Sequence, residues 1–309
     1  MNNISQDILK TLAYFDYFDY PLTSEDIRSF LAQQCGQTVV DEILTELLNE
    51  NIIYKTGAFY SLQNDSLLAK RRQEGNQKAV KQLNIAKKVA RILSHFPYVL
   101  AIAVSGSLSK YFADEKTDID FFIITAANRL WIARTLMHIL KKFSYIAGKQ
   151  HWFCMNYYID ELGIDIPEKN IFTAMEIVTL LPMQGTNHFK NFIAANSWVN
   201  NYFPAHIIST ADTPEIKKGF FRKCFEKIFN SPLGDVADKW LMNITDRRWK
   251  KKARLGKVND HGIRMRMIMK RHFSKPDPKN FQVKLIEKYN SRINNLLQQV
   301  ELQPQHRVF

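Results

Sequence analysis

The sequence of 309 residues predicts an α+β fold, because helical patterns and short apolar runs of strand length alternate along it. Apolar residues recur at helical spacing over the first fifty residues. Runs typical of buried strands follow at residues 98–104, 118–124 and 151–159, and residues 128–143 between the last two have a helical pattern. Beyond residue 171 the pattern is again helical. We therefore expect a central mixed sheet with helices, between two regions that are largely helical.

The first part of the chain is expected to form a small domain of its own, over residues 1–68. Ile4 to Phe18 has the spacing of a helix, a second helix starts with Thr23 or Ser24 as its N-cap, and a third spans Val39 to Asn49. Two short strands then flank the turn Lys55-Thr56-Gly57. Three helices followed by a hairpin resemble a winged helix in order and length.

The third helix of a winged helix often enters the major groove of DNA. Here that helix contains no Lys or Arg and has four acidic residues: Asp41, Glu42, Glu46 and Glu50. Because these carboxylates repel DNA phosphates, the sequence favours a packing or protein-binding role for this domain over DNA recognition.

A turn that suits a phosphate group follows the first central strand. The apolar run 98–104 is followed by Ser105-Gly106-Ser107 and an apparent helix start. Gly106 allows a phosphate to approach the backbone and Ser107 can donate a hydrogen bond to it. The N-terminus of the next helix would add unpaired N–H groups, and Lys110 completes this set of candidate nucleotide-binding residues.

Two carboxylates mark the start of the second central strand. Asp118 and Asp120 are two residues apart, so their side chains share one face of an extended chain. Carboxylates in this arrangement bind hard cations such as Mg²⁺, which in turn bridge the phosphates of a substrate.

The turn and the Asp-x-Asp pair, in this order, resemble the polymerase-β-type nucleotidyltransferase superfamily over Tyr98 to Asp165. The resemblance predicts a nucleotidyltransferase domain over residues 76–166, with Gly106 and Ser107 on the triphosphate and Asp118 and Asp120 on metal. It implies transfer of a nucleotidyl group from a nucleoside triphosphate to a hydroxyl of a small molecule, a protein or a nucleic acid, with two Mg²⁺ ions. A helical region at residues 167–309 would help to hold the base or the acceptor, with Glu176 and Asn196 as weak candidates to line it.

The family usually supplies a third carboxylate from a neighbouring strand, and three residues compete for this position. Asn156 is the interior polar residue of the run 151–159, but it is neutral and a poor base. Asp160 closes that run and Asp165 follows shortly after it. Asp160 is the favoured third metal ligand and catalytic carboxylate. If Asn156 takes the position instead, the metal site is weaker.

The charge of the chain is concentrated toward its C-terminal part. The net charge is +13, and the stretch from Arg247 to Arg271 is rich in Lys and Arg. Such a patch attracts a polyanion, with nucleic acid as one possible partner and an acidic lipid surface as another, whereas the same residues also fit the solvated face of a helix. Arg264 to Met269 alternate charged and apolar residues, which we interpret as a helix packed on one side.

Other sequence features narrow the class of protein. Cys35, Cys154 and Cys224 have neither the spacing of a zinc site nor an even number for a disulfide framework. The sequence has no run of about 20 apolar residues and begins without a signal-peptide pattern, so we expect a cytoplasmic protein without a transmembrane segment. Two alternatives to the enzyme stay open. One is a nucleotide-sensing, DNA-binding regulator, and the other is a catalytically decayed nucleotidyltransferase fold that acts as an interaction module.

Overall fold

The fold is that of an α+β protein, as the sequence predicts. The structure, a computed structural model, describes residues 3–115, 117–258, 266–276 and 281–302. These residues form eleven α-helices, a two-stranded sheet and a mixed six-stranded sheet. None of the helices in this part of the chain combines the length and the apolar composition that crossing a bilayer requires.

The N-terminal part contains the expected three helices and hairpin. The helices are α1 (Asn3–Asp16), α2 (Ser24–Ser29) and α3 (Gln37–Asn49), and the hairpin strands are β1 (Tyr54–Thr56) and β2 (Phe59–Ser61). Of the two candidates for the N-cap of α2, Thr23 is the cap, and it forms a reciprocal pair with Asp26. The similarity to a winged helix stays a resemblance of element order.

Helix α4 (Ser66–Leu93) is much longer than predicted. The predicted domains, over residues 1–68 and 76–166, leave residues 69–75 as a link between them. Instead, Gly75 lies inside α4 and the ring of Phe112 packs directly on it, so that a Cβ at Gly75 would lie 2.4 Å from two ring carbons. A side chain from another part of the chain therefore occupies the space that Gly75 leaves on this helix.

The six-stranded sheet has the strand order β6-β3-β4-β5-β8-β7. Its central strands are β3 (Val99–Val104), β4 (Asp120–Thr125) and β5 (Cys154–Asp160). Strands β3 and β4 are antiparallel, whereas β4 and β5 are parallel and are joined by helix α6 (Leu130–Ile146). The one-turn helix α5 (Gly106–Ser109) follows β3.

The C-terminal part contains strands as well as helices, which corrects the prediction of a helical region over residues 167–309. In chain order its elements are α7 (Ile171–Val178), β6 (Leu181–Gln184), α8 (Thr186–Ala195), α9 (Phe220–Phe229), α10 (Pro232–Arg254), β7 (Met267–Met269), β8 (Phe273–Pro276) and α11 (Phe281–Leu302).

Two local patterns explain this error. Pro182 follows the helical pattern that begins near residue 171, but it lies in β6, an edge strand, where a missing N–H is tolerated. The alternation of charged and apolar residues up to Met269 was interpreted as a helix, whereas the described residues 267–269, Met-Ile-Met, form strand β7. Arg264 and Met265 lie outside the described residues.

Both faces of the large sheet are buried. Phe122 and Ile124 belong to a core that also contains residues of α1–α3, α7, α8 and α11. Phe121 and Ile123, which alternate with them along β4, belong to a second core under α4 and α6. Burial on both sides explains why β4 is a continuous apolar run rather than an alternating one. We call these the first and the second face of the sheet.

The contact between Gly75 and Phe112 gives a prediction about stability. Replacing a helical glycine by alanine normally stabilises a helix by about 1 kcal/mol. Gly75→Ala should instead lower the free energy of unfolding by about 1–3 kcal/mol, because the new methyl group overlaps the buried ring. Urea unfolding measures this. Gly36→Ala, at the N-cap of α3 where a Cβ meets no atom within 4 Å, is the comparison and should cost less than Gly75→Ala. Equal effects at the two positions would contradict the packing interpretation.

Candidate functional site

The end of β3 lies in direct contact with the start of β4. The backbone N–H of Ser105 donates to the carbonyl oxygen of Asp120 at 2.9 Å, which extends the pairing of the two strands. Gly106 then turns the chain with a φ of +72°, a conformation that L-residues with a side chain rarely adopt. A Cβ on Gly106 would lie 2.9 Å from Oδ2 of Asp120. Glycine is therefore required both for the turn and for its close approach to the carboxylate.

The helix after this turn is shorter than the sequence suggested. Helix α5 has only four residues, so its dipole adds little and the phosphate-binding capacity lies in the N–H groups of the turn itself. Ser107 is exposed in this turn. Lys110 follows it, and its ammonium group donates to the Gly106 carbonyl oxygen at 3.2 Å and to Glu176 at 2.8 Å. The predicted nucleotide-binding residues thus lie together, with Lys110 held by a carboxylate.

Asp118 lies just before β4 and has a partner that the sequence did not reveal. Nδ1 of His151 donates to Oδ1 of Asp118 at 2.6 Å. The two chain segments also pair through their backbones, since the N–H of Ile119 donates to the His151 carbonyl oxygen at 3.0 Å. His151 is 33 residues away in sequence and belongs to no motif. A carboxylate oriented by an imidazole is a common arrangement around bound metals.

The carboxylate of Asp120 lies in a cleft on the first face of the sheet. Burial raises the pKa of Asp120 to about 7; the neighbouring Cys154 thiol partly offsets this effect, and the negative charge of Asp118 adds to it. Asp118 and Asp120 are therefore close enough to repel each other. A cation between them would relieve this repulsion.

Asn156, one of the three candidates for the third position, lies beside Asp120. Its side-chain amide donates to Oδ1 of Asp120, and the Cys154 thiol donates to Oδ1 of Asn156 at 3.2 Å. The pairing of β4 with β5 shifts here: Met155 is opposite Phe121, but Tyr157 is opposite Phe122. Asn156 is the extra residue of this irregularity, and such bulges redirect a side chain.

Asp160 does not lie with the aspartate pair, so the prediction that it is the third metal ligand and catalytic carboxylate is wrong in its geometry. In the parallel pairing Asp120 is opposite Cys154, at the start of β5, and Asp160 is opposite Thr125, at its other end. Six residues of strand separate the two ends by about 20 Å.

The carboxylate of Asp160 has a structural role instead. It is fully buried and accepts hydrogen bonds from the backbone N–H groups of Asn128 at 2.9 Å and Leu162 at 3.0 Å. Nδ1 of His272 approaches its Oδ2 at 2.9 Å. Asp160 thereby ties the loop before α6, the turn after β5 and the segment before β8 to one another.

The remaining candidates separate into one that reaches the site and two that do not. Glu176, on α7, lies in the cleft beside Lys110. Asp165 is exposed and pairs with Lys169 at 3.6 Å. Asn196 is buried: its carbonyl oxygen accepts from the N–H of Ile166 and its amide donates to the Ile164 carbonyl oxygen, which makes it a structural residue.

The cleft continues into a cavity of about 520 Å³ on the first face of the sheet. Ser105, Gly106, Asp120 and Asn156 lie at its polar part. Elsewhere its lining is mainly apolar and aromatic, from α7, α8, α11 and the sheet. A volume of this size with convergent polar groups at one part is typical of a site for a small molecule.

The charges around the cavity suit a cation that arrives with its ligand. Among the described residues, no three His, Cys, Asp or Glu side chains form a group that could hold a metal ion by themselves. Mg²⁺, however, is often bound by one or two carboxylates, with phosphate oxygens and water as the remaining ligands. Asp118 and Asp120 fit this pattern, whereas the amide oxygen of Asn156 beside them already accepts a hydrogen bond from the Cys154 thiol.

The position of Asp160 gives a prediction that separates a structural from a catalytic role. Asp160→Asn should lower the free energy of unfolding by about 3 kcal/mol, because an amide NH₂ group would face buried donors that now share a carboxylate. The affinity of the folded protein for a magnesium nucleotide should be unchanged. Urea unfolding and calorimetry give both quantities, with Asp165→Asn as the exposed control. If Asp160→Asn instead lost affinity for the nucleotide while its free energy of unfolding stayed unchanged, Asp160 would have to be a metal ligand.

Comparisons with known proteins add no further assignment: no protein family, no curated protein and no solved structure matches this chain.

Proposed function

We propose that the protein is a metal-dependent nucleotidyltransferase, which transfers a nucleotidyl group from a nucleoside triphosphate to a hydroxyl group and releases pyrophosphate. One observation carries the proposal: Gly106, in a left-handed turn, lies against the Asp120 carboxylate with no space for a Cβ between them. A phosphate held by the turn would therefore lie next to the carboxylates that bind its metal. This is the arrangement that such chemistry needs, because the metal must contact the phosphates.

The residues of the site have distinct tasks in this proposal. The turn at Gly106 and Ser107 presents backbone N–H groups and a hydroxyl to the phosphates. Asp118 and Asp120 hold Mg²⁺, which neutralises negative charge on the transferred phosphate when it is bound. His151 keeps the Asp118 carboxylate oriented. Lys110, which bridges the turn and Glu176, fixes α7 against the phosphate site.

The cavity beside the aspartates is the proposed place for the organic part of a substrate. Phe122, Phe172 and Phe281 are among its aromatic lining residues, and aromatic rings suit the faces of a base or of another flat group. Glu168 and Lys275, paired at 2.8 Å, give this part of the cavity a polar contact.

Substitution of the two aspartates tests the proposal. Asp118→Asn and Asp120→Asn should each lower magnesium-dependent transfer by about 1000-fold, since they remove charge that holds the metal in the transition state. The assay incubates the protein with each α-³²P-labelled nucleoside triphosphate, Mg²⁺ and a cell extract, and follows label transferred to protein, nucleic acid or metabolite.

Asp165→Asn is the matched control, because it makes the same change at an exposed carboxylate away from the cavity lining. It should leave transfer as in the parent. If the Asp118→Asn/Asp120→Asn double variant transfers label as fast as the parent, the proposed site is refuted.

A second candidate function, a nucleotide-binding protein without efficient transfer, is favoured by Asn156. A neutral amide at the third position removes one charge from the metal site and a base for the attacking hydroxyl. The hydrogen bond from Asn156 to Asp120 shows that the amide is well accommodated there. In this case the turn and the two aspartates would bind the magnesium nucleotide, and the ligand would act as a signal rather than a substrate.

Restoring a carboxylate at Asn156 distinguishes the two candidates. Without metal, Asn156→Asp should lower the melting temperature, because three carboxylates repel one another. Addition of Mg²⁺ should then raise the melting temperature of the variant by more than that of the parent. If the parent is a binding protein, transfer should appear or rise by about tenfold or more in the variant. If the parent is an efficient enzyme, transfer should stay the same or fall.

Asn200 is exposed, and Asn200→Asp is the control for the added charge. Its melting temperature should neither fall without Mg²⁺ nor rise more than that of the parent when Mg²⁺ is added. An Asn156→Asp variant that also responds to Mg²⁺ no more than the parent would show that residue 156 does not face the metal.

A further inference from the structure

Exposed apolar side chains are concentrated on one layer of the molecule. We define the α6–α9–α10 layer as these three helices together with residues 255–258, which follow α10. Of the twenty large apolar side chains that are exposed in the described part of the chain, twelve belong to this layer: Ile139, Phe143, Tyr145, Ile146, Phe220, Phe221, Ile228, Leu233, Val236, Trp240, Leu255 and Val258. Single exposed apolar residues are ordinary, whereas such a concentration marks an interaction surface.

The apolar residues of this layer follow helical spacing, so they form stripes. Leu233, Val236 and Trp240 lie three and four residues apart on α10 and are all well exposed. On α6 the exposed stripe is formed by Ile139, Phe143 and Ile146. On both helices other residues contact the core, so each helix has a buried face and a second apolar face in solvent.

The same layer has a large excess of positive charge. Residues 216–258 contain thirteen Lys and Arg and only four acidic residues. All four acids are already engaged: Glu226 pairs with Arg222 and Lys218, Asp235 with Arg129 and Asp246 with Lys250, and Asp238 accepts from the N–H groups that begin α6. The other cations therefore face solvent without a compensating carboxylate of this segment.

Basic side chains lie close together where α6 and α10 run side by side. Arg134 is buried, and its Nε has no hydrogen-bond partner among the described residues. Nε2 of His138, one turn further along α6, is also buried and without a partner in the same part of the chain. Burial lowers the pKa of Lys252 on α10, and the positive charges of Lys257 and Arg134 lower it further. In the part of the chain that the structure describes, no carboxylate is found beside Arg134 or Lys252.

We propose that the α6–α9–α10 layer docks on an anionic lipid bilayer, with its apolar stripes in the interface and its cations on phosphate headgroups. Both observations are needed for this choice. The uncompensated cations favour an anionic partner. Transfer of exposed Phe, Ile, Leu, Val and Trp side chains out of water lowers the free energy. Nucleic acid would satisfy the cations, but it would leave bulky aliphatic residues such as Leu233, Val236 and Ile146 with little to contact.

This inference does not depend on the proposed transfer reaction. The aspartate pair and its cavity lie on the first face of the sheet, whereas α6 covers the second face and α10 packs on α6. A bilayer on the α6–α9–α10 layer would therefore leave the cavity on the opposite side of the sheet. Failure of one proposal leaves the other untouched.

Co-sedimentation of the full chain with lipid vesicles tests the docking. At about 0.15 M salt the protein should bind vesicles of phosphatidylcholine mixed with phosphatidylserine, and should bind pure phosphatidylcholine at least about tenfold more weakly. Phe221→Ser/Trp240→Gln should weaken binding to the mixed vesicles by about tenfold or more, because two exposed aromatic side chains no longer enter the interface. Arg247→Glu/Lys251→Glu should have an effect of similar size through charge.

Matched controls lie outside the layer. Ile207→Ser removes an equally exposed apolar residue, and Lys55→Glu/Lys70→Glu reverses two exposed cations. Both should bind mixed vesicles as the parent does, and unchanged melting temperatures show that all variants fold.

Three results would overturn the proposal. The first is a failure of the docking itself: the protein binds neither kind of vesicle, or the Phe221→Ser/Trp240→Gln variant binds mixed vesicles as well as the parent does. The second is binding to duplex DNA or RNA but not to vesicles, which would identify a nucleic-acid surface. The third is a dimer without vesicle binding that Trp240→Gln dissociates, which would identify a second copy of this chain as the partner.

Discussion

The approach of Gly106 to the Asp120 carboxylate is the constraint on which the candidate site depends. Because Gly106 has no side chain, the end of β3 and the start of β4 come close enough for a backbone turn and a carboxylate to share one ligand. The left-handed φ directs the chain into α5, which brings Lys110 back to the carbonyl oxygen of Gly106. Any side chain at this position would separate the two halves of the site.

Features that depend on a few neighbouring residues could be predicted from the sequence. The cap of α2 at Thr23, the two central strands and the shared face of Asp118 and Asp120 follow from local patterns, and the α+β class follows from their order. Features that depend on distant contacts could not. Residues 69–75 were expected to link two domains, whereas Gly75 lies inside α4 under the ring of Phe112, which is 37 residues away along the chain.

The third metal-binding position, for which Asp160 was favoured over Asn156, could not be predicted either, because it too depends on contacts between distant residues. An acid at the end of a strand looked like a better metal ligand than an amide within it, and Asp160 was chosen on chemistry alone. The choice failed because the parallel register places Asp160 at the far end of β5, and because a local shift in pairing turns Asn156 toward Asp120. Neither register nor bulge has a signal in a single sequence, and the same holds for the contact of His151 with Asp118.

The molecule thus has two distinct functional candidates on opposite faces of one sheet: a polar turn with two carboxylates, and a basic, apolar helical layer. The central claim, that the first of these binds a metal nucleotide, is tested most directly by a crystal structure with Mn²⁺ and a non-hydrolysable nucleoside triphosphate analogue. The account predicts an anomalous Mn²⁺ peak between Asp118 and Asp120, with the triphosphate on the N–H groups of Gly106 and Ser107. A triphosphate bound instead to the cations of α10, with no Mn²⁺ at the two aspartates, would contradict it.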